Sequence, residues 1–540
     1  MADDSGRSLR GLAPRWVRVA MPSTADLIFV ALLIALLFTA LSVRLLGDAG
    51  IGWHIRAGQQ ILATHAIPRV DSFSSTMGGK AWFAWEWLYD LVVGGLEANL
   101  GLNGVIWFTA LVIAAVFAWT FRLLILRGTN LLIALVLVLF AISAAMIHFL
   151  ARPHVVSWLF TLGWFWILQS FERESLDGQG FRRRRVLWLL PLLMLVWVNV
   201  HGGFVLGFVL LGIFWAGALW DWWCTKEGRI EDLFSRVGAR KRARALVGVG
   251  LLSLLASLAN PYGWKLHAHV YSYLSNRFLM DHIEEFRSPD FHGVAQKCFL
   301  ILVLITLAAL AAHGRGLRMS QMLTVLVAVF TGMYAARNIP VSSLLLVMVI
   351  GPLLSPVRLG QRFFAKMAAV ESGLRGHLWP VLAVVLTFLI ALHGGRVGSS
   401  VWMNAHFDPG RMPVEAVNYL QMQKLPGPIL SPDYWGGYLI YRLYPETKVV
   451  IDDRHDLYGE EFLKSYLKLA KVQPGWKEFL QEHDVRCLVL ARDAALANLL
   501  VGMQMPLEKP DWIEVYGDDT AVVLVRKGQV PRGKVQIGNF

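Results

Sequence analysis

The sequence predicts a polytopic α-helical membrane protein with about eleven spanning helices of ~20 residues each, followed by a small α/β extracytoplasmic domain. Three observations carry this expectation. Hydrophobic residues make up 56% of the 540 and charged residues only 16%, whereas a soluble globule carries about a quarter charged residues. Mean hydropathy is +0.51, with 22 Trp and 29 Phe. Beyond residue 400 the long apolar runs give way to short ones broken by charge.

Apolar stretches mark spans near 25–46, 104–124, 130–150, 153–171, 186–200, 203–223, 245–260, 298–313, 319–336, 338–355 and 378–395. The first is long, lacks a small-residue cleavage site and precedes many others, so it is a span and not a signal peptide. Ahead of it, Arg7, Arg10, Arg15 and Arg18 place residues 1–24 in the cytoplasm. The membrane domain covers 25–396, with a first outer loop at 47–103, and the tail 397–540 lies outside, as an odd number of spans requires. The expected location is a bacterial-type inner (plasma) membrane.

Charge placement supports this orientation. The formal charge of +13 invites a nucleic-acid reading. Yet 16 Lys and Arg against 18 Asp and Glu follow residue 400, so 35 of the 51 basic and 20 of the 38 acidic residues precede it. About 24 of those 35 fall in inner loops, among them 171–185 with Arg182 to Arg185, 224–244 and 356–377. The positive-inside rule accounts for the surplus without nucleic acid. Three cysteines, Cys224, Cys298 and Cys487, are too few and scattered for a disulfide framework or metal cluster.

The polar residues gather on the other side. The first outer loop holds Asp48, His54, Arg56, Asp71, Glu86 and Asp90, and its stretches 53–63 and 82–97 read as amphipathic surface helices. Later outer loops bring Arg152 and His154, then Asn199 and His201, then Glu284, Glu285, Arg287 and Asp290, and finally Arg337 and Asn338. Ionisable groups at span ends are costly and face a cavity or a partner. Helix caps and loop ion pairs account for such residues singly; as a set they point to one site at the outer face. Asp48, just past the first span, suits proton removal from an attacking hydroxyl or the holding of a divalent cation. Arg152, Arg287 and Arg337, with His154 and His201 beside them, suit a phosphate or diphosphate. Neither a GxGxxG after a strand nor a P-loop occurs, which favours a lipid phosphate over a nucleotide.

The segment opening at Asp48 (DAGIGWHIRAGQQIL), with two helices in one long first loop, resembles the GT-C superfamily of polytopic glycosyltransferases. The resemblance implies a polyprenyl-phosphate sugar donor and a role for Asp48 as catalytic base or metal ligand, with Mg²⁺ or Mn²⁺ as the optional ion. Asp71, Glu86 and Asp90 share that loop and join the catalytic candidates. The run SPDYWGGYLIYRLYPETKVVIDDRHDLYG is similar to the Trp-Trp-Asp-Tyr-Gly region of oligosaccharyltransferase catalytic subunits. Carried over, it puts Asp433, Tyr434, Trp435 and Gly436 at an acceptor site, with Asp452 and Arg454 nearby. Glu284 and Glu285 correspond to the glutamate-bearing later outer loop of those subunits.

In the tail, helices are expected near 413–424, 435–443, 459–482 and 493–503, and β-rich runs at 428–431, 447–452, 485–491 and 520–526. Trp476 and Phe479 read as core packing and Cys487 as an inert buried thiol. The cluster from Asp452 to Asp456 follows an apolar strand, a favoured place for sites. The reading is a membrane glycosyltransferase; a lipid-linked glycan carrier of flippase type and a non-catalytic scaffold with a degenerate site are the alternatives.

Overall fold

The computed structural model describes residues 15–176, 184–225, 230–354, 361–374, 376–502 and 511–528. Arg7, Arg10, Arg182, Arg183, Lys226 and Arg229 lie outside the described residues. Among the described residues six helices are long and apolar enough to cross a membrane: Arg18–Phe38, Leu102–Leu126, Leu131–His148, Gly202–Cys224, Val294–His313 and Ala336–Leu353. A pair bent by 58°, Lys366–Gly373 with Leu378–Leu392, makes a seventh if it is one span.

The other expected spans are helical but shorter or more polar. Leu189–Trp197 has 9 residues and Met319–Tyr334 has 16. His154–Leu176 carries His154, Gln169, Glu172 and Arg173. The expected span 245–260 is the end of one 28-residue helix, Ile230–Ser257, whose first half bears Arg236, Arg240, Lys241, Arg242 and Arg244. What reads as an inner loop is therefore helix from residue 230, because Ala, Arg and Lys are good helix formers. The first span stops early: its helix ends at Phe38 and a short helical turn, Leu41–Leu45, follows.

The first-loop helices, Ile51–Thr64 and Trp87–Leu100, do not lie free on a surface. Small residues let them pack backbone to backbone: a Cβ on Gly58 would strike the Asp90 carbonyl, and one on Gly52 would strike the Gly437 carbonyl of the tail. One face of the first helix, including Trp53, His54, Ile55 and Ala57, is buried. The loop is thus clamped between the helical bundle and the tail, and its amphipathic pattern reflects protein contact.

The tail is built on a four-stranded mixed sheet in the order Ile429–Leu430, Cys487–Ala491, Ala521–Arg526, Trp512–Gly517, with the first pair parallel and the rest antiparallel. Side chains alternate along it. Cys487 and Val489 pack toward the first loop and bundle, while Leu488 and Leu490 pack under Tyr458, Tyr466 and Phe479 on the other face. The expected strand at 447–452 is a bridging segment: Val449 pairs with both Ile429 and Ser74, which splices the first loop to the sheet. Trp512–Gly517 is a strand absent from the sequence expectation, and 459–482 divides into His455–Ala470 and Trp476–Glu482 at a turn containing Pro474. Cys487 is buried, and burial pushes its thiol up to about 12, as expected of an inert core residue.

Candidate functional site

Asp48 lies between the short turn Leu41–Leu45 and the helix beginning at Ile51, and its Oδ1 accepts from the Gly50 N–H at 2.8 Å. The same oxygen takes the Arg152 Nη2 at 2.6 Å. Arg152 is brought there by the loop after Leu131–His148, whose Ala151 N–H donates to the Leu45 carbonyl at 2.7 Å. The second proton of Nη2 meets Asp453 Oδ2 of the tail at 2.5 Å, and Trp53 Nε1 donates to the other Asp453 oxygen at 3.0 Å. Gly50 is required by space: a Cβ there would collide with the guanidinium and with the Asp453 carboxylate. One arginine thus joins the bundle, the first loop and the tail.

Beside this junction is a buried acid and imidazole group. Glu86 sits at the N-terminal boundary of the helix Trp87–Leu100 without a side-chain capping bond, and Asp90 lies one turn on, on the same face. His54 Nδ1 is 2.6 Å from Asp90 Oδ1, and both side chains are wholly buried. Burial holds His54 well below its ordinary value and Asp90 well above its own. His201 Nδ1 accepts from the Gly203 N–H at 3.0 Å and from Ser157 Oγ at 2.8 Å, since that hydroxyl already accepts from Trp197 Nε1. This leaves the ring proton of His201 on Nε2.

The two Nε2 atoms face one carboxyl: His54 at 3.8 Å from Glu86 Oε2, and His201 at 3.7 Å from Glu86 Oε1. Both distances exceed a hydrogen bond. Burial pushes Glu86 up to about 8, against the pull of Arg152. A carboxyl so poised is matched to proton exchange near neutral pH.

Arg337 and Glu285 form the next pair, 3.1 Å apart, with the guanidinium 4.3 Å over the Phe286 ring. Glu285 is driven down to about 2: Arg337 and Arg152 outweigh the opposing effect of burial. Their fields reach His201 as well, with those of His154 and Arg152. His154 Nε2 lies 3.0 Å from the His148 carbonyl. On the tail side, His269 Nε2 is 3.0 Å from Asp456 and its ring stacks on Phe83 at 4.3 Å.

Asp48, Glu86, Asp90, Arg152, His154, His201, Glu285 and Arg337 are therefore brought together. Arg287 and Glu284 are exposed at the edge. Four expected site residues turn out to be sealed into packing. Asp71 bonds Arg454 at 2.8 Å, and Asp452 bonds the same guanidinium at 2.7 Å and the Tyr458 hydroxyl at 2.9 Å. Arg454 and Ser74 hold Asp71 below its ordinary value despite its burial. Trp435 is buried, with Nε1 donating to the Arg411 carbonyl. Asp71, Asp452, Arg454 and Trp435 are thus buried and hold the loop and tail together. Asp433 pairs with His455 at 2.8 Å and with the Tyr466 hydroxyl, while Tyr434 beside it is exposed.

His54 and Asp453 stand in the sequence reading only as members of the polar outer-loop set and of the 452–456 charge cluster, with no role of their own. The partner of His54 is 36 positions away, so no local pattern marks it. The i, i+4 spacing of Glu86 and Asp90 was the available signal for a carboxyl pair on one helical face.

Among the described residues no group of three or more His, Cys, Asp or Glu is placed to hold a metal ion. The expected Asp48 metal ligand is instead bonded to a guanidinium.

No family model matches the chain, and no curated protein is similar to it. Its fold is similar to that of the Archaeoglobus fulgidus oligosaccharyltransferase. Against the apo form the TM-score is 0.51 at 11% identity, covering 87% of this chain and 69% of that one. Against the form tethered by a disulfide to an acceptor peptide containing the NVT sequon, the TM-score is 0.53 at 11% identity, covering 87% and 68%. The likeness is one of fold.

Proposed function

We propose that this chain is a membrane glycosyltransferase that moves a sugar from a polyprenyl-phosphate-linked donor to a lipid, glycan or protein acceptor at the outer face of the membrane. The observation that carries the reading is the gathering of Asp48, Arg152, Asp453, Glu86 and two histidines where four parts of the chain meet, within a fold shared with an oligosaccharyltransferase. Residues 1–24 would be cytoplasmic, 25–396 would form the membrane domain and 397–540 the extracytoplasmic tail.

In this reading the donor phosphate docks against Arg152 and Arg337, with the His201 Nε2–H beside them. The acceptor oxygen attacks the anomeric carbon, the bond from that carbon to the phosphate oxygen breaks, and polyprenyl phosphate leaves. The acceptor proton passes to Asp48 Oδ2, which has no partner among the described residues, or to deprotonated Glu86. Tyr434 and the Asp433–His455 pair lie toward the acceptor. Ground-state contacts alone do not accelerate transfer, so the charge on the leaving phosphate is where the fixed cations contribute.

The test is mass spectrometry of lipid-linked sugars and surface glycans from cells with the gene, without it, and with Asp48→Asn. One sugar class should vanish in the second and third, while the variant remains folded and membrane-inserted. Unchanged glycans in both would end the proposal. A phosphatase fused after residue 528 should be active outside the cytoplasm; activity only inside would remove the outer-face assignment.

A further inference from the structure

The GT-C likeness implies a divalent cation at the first-loop aspartate, and the residues present do not fit one. A metal site gathers three or more anionic or imidazole ligands around an open position. Here the two carboxylates nearest that position, Asp48 Oδ1 and Asp453 Oδ2, both end on one nitrogen, Arg152 Nη2, at 2.6 and 2.5 Å. Gly50 supplies the space for that nitrogen, since any side chain there would displace it.

We propose that Arg152 is a built-in replacement for the metal: its guanidinium bridges the first-loop and tail carboxylates as a divalent cation would, and its remaining N–H groups serve the donor phosphate. The unused N–H groups of the guanidinium support the second half. Arg152 Nε is buried with no hydrogen-bond partner, an N–H that protein structures rarely leave unpaired. Its two recorded bonds both use Nη2, so Nε and Nη1 remain to donate to a phosphate oxygen. Arginine suits the place because it is always charged and directs donors along more than one edge of a plane. The neighbouring titratable groups do not supply a cation site in its place: among the described residues no three His, Cys, Asp or Glu are placed to hold a metal ion.

The phosphate role rests on the function proposed above; the displacement of the metal does not. The purified full-length protein in nanodiscs is assayed for bound metal by elemental mass spectrometry and for Mn²⁺ by electron paramagnetic resonance, with thermal unfolding read with and without EDTA. The wild type should carry no stoichiometric divalent metal, and neither EDTA nor excess MnCl₂ should shift its Tm. In Arg152→Ala the carboxylates lose their cation, so Tm falls, and added Mn²⁺ should restore part of the loss with a bound Mn²⁺ signal. That signal should disappear when Asp48→Asn is added. Arg152→Lys, which keeps the charge, should leave Mn²⁺ without effect and serves if the alanine variant does not fold. Stoichiometric metal in the wild type whose removal lowers Tm would overturn the proposal. So would a folded Arg152→Ala protein indifferent to Mn²⁺, or Mn²⁺ binding to the lysine variant. Polyprenyl monophosphate binding by the metal-free wild type, weakened in Arg152→Ala, supports the phosphate half. Absence of that binding beside the expected Mn²⁺ results overturns the phosphate half and the donor reading alone, leaving the displacement standing.

Discussion

Two arginines fasten the first loop to the tail with the same chemistry and different surroundings. Arg454 bonds Asp71 of the loop and Asp452 of the tail; Arg152 bonds Asp48 of the loop and Asp453 of the tail. The Arg454 side chain is 2% exposed and its carboxylates 0%, with Trp82, Phe73 and Trp53 rings around the guanidinium. Arg152 is 25% exposed and Asp48 30%, and the Arg152 Nε has no partner. Each guanidinium keeps a buried nitrogen without a partner, Arg152 Nε and Arg454 Nη1, so exposure, and not residue type or the partner count, separates the sealed cage from the open junction.

The largest expected effect tests the sealed member. Arg454→Ala would strand two buried carboxylates, a loss of about 3–5 kcal/mol. The folded yield in detergent should collapse. Arg152→Ala should cost ~1 kcal/mol or less, because water reaches its carboxylates. Thermal unfolding of the two variants side by side decides it, and equal losses would erase the distinction drawn here.

Next come the glycines that let the loop approach. Gly58→Ala drives a Cβ into the Asp90 backbone, which cannot swing aside, so a loss of about 1–3 kcal/mol is expected. The atoms nearest a Cβ at Gly50 are side-chain atoms, of Arg152 and Asp453. Gly50→Ala should therefore cost less in Tm while disturbing the open junction, lowering sugar transfer more than stability. The reverse ranking would mean that the junction, and not the helix pair, fixes the loop.

Sequence showed the membrane class and the side on which polar residues gather because both are written in composition and period, which local chain chemistry controls. It did not separate the two arginines. Asp452 and Asp453 are adjacent, and one enters the sealed cage while the other reaches the open junction; in the string DDRHD they form one charge cluster. The Val449 bridges to Ile429 and Ser74 anchor the segment that leads into them, and the side-chain partners of each aspartate come from distant parts of the chain. The first-loop helices were legible as helices, but their apolar faces could equally meet lipid or protein, and the glycine contacts decide for protein. The span count differs for a related reason: short helices such as Leu189–Trp197 are continued by turns that hydropathy alone does not resolve.

A smaller effect concerns the open side's acid. Folded Glu86 keeps its proton to about 8, against 4.5 ordinarily. Between those values the folded state binds more protons than the unfolded one, so the stabilisation is present in acid and lost as pH rises through about 8. The loss should be on the order of 1–2 kcal/mol once water relaxes around the charge. Glu86→Gln should flatten this slope in thermal unfolding across the interval, and an unchanged slope would place the titration elsewhere. Asp71, held below its ordinary value in the sealed cage, contributes the opposite dependence, with stability lost as pH falls.

The smallest expected change in stability belongs to Tyr434, whose side chain is 57% exposed although it belongs to the helix Asp433–Leu443. A surface aromatic with so little packing should tolerate Tyr434→Ala within about 0.5 kcal/mol. Its neighbours are otherwise committed: Asp433 to His455 and Tyr466, Trp435 to the Arg411 carbonyl. Of the four residues likened to an acceptor motif, it has the most exposed side chain: Asp433 is 25% exposed, Trp435 is buried and Gly436 has none. If the open side of the molecule is where substrate binds, Tyr434→Ala should raise KM for the acceptor and leave kcat and Tm nearly unchanged. Trp435→Ala should do the reverse, lowering Tm by emptying a buried site while any loss of activity tracks the loss of fold. A Tyr434→Ala enzyme with an unaltered acceptor KM would move acceptor recognition off this helix altogether.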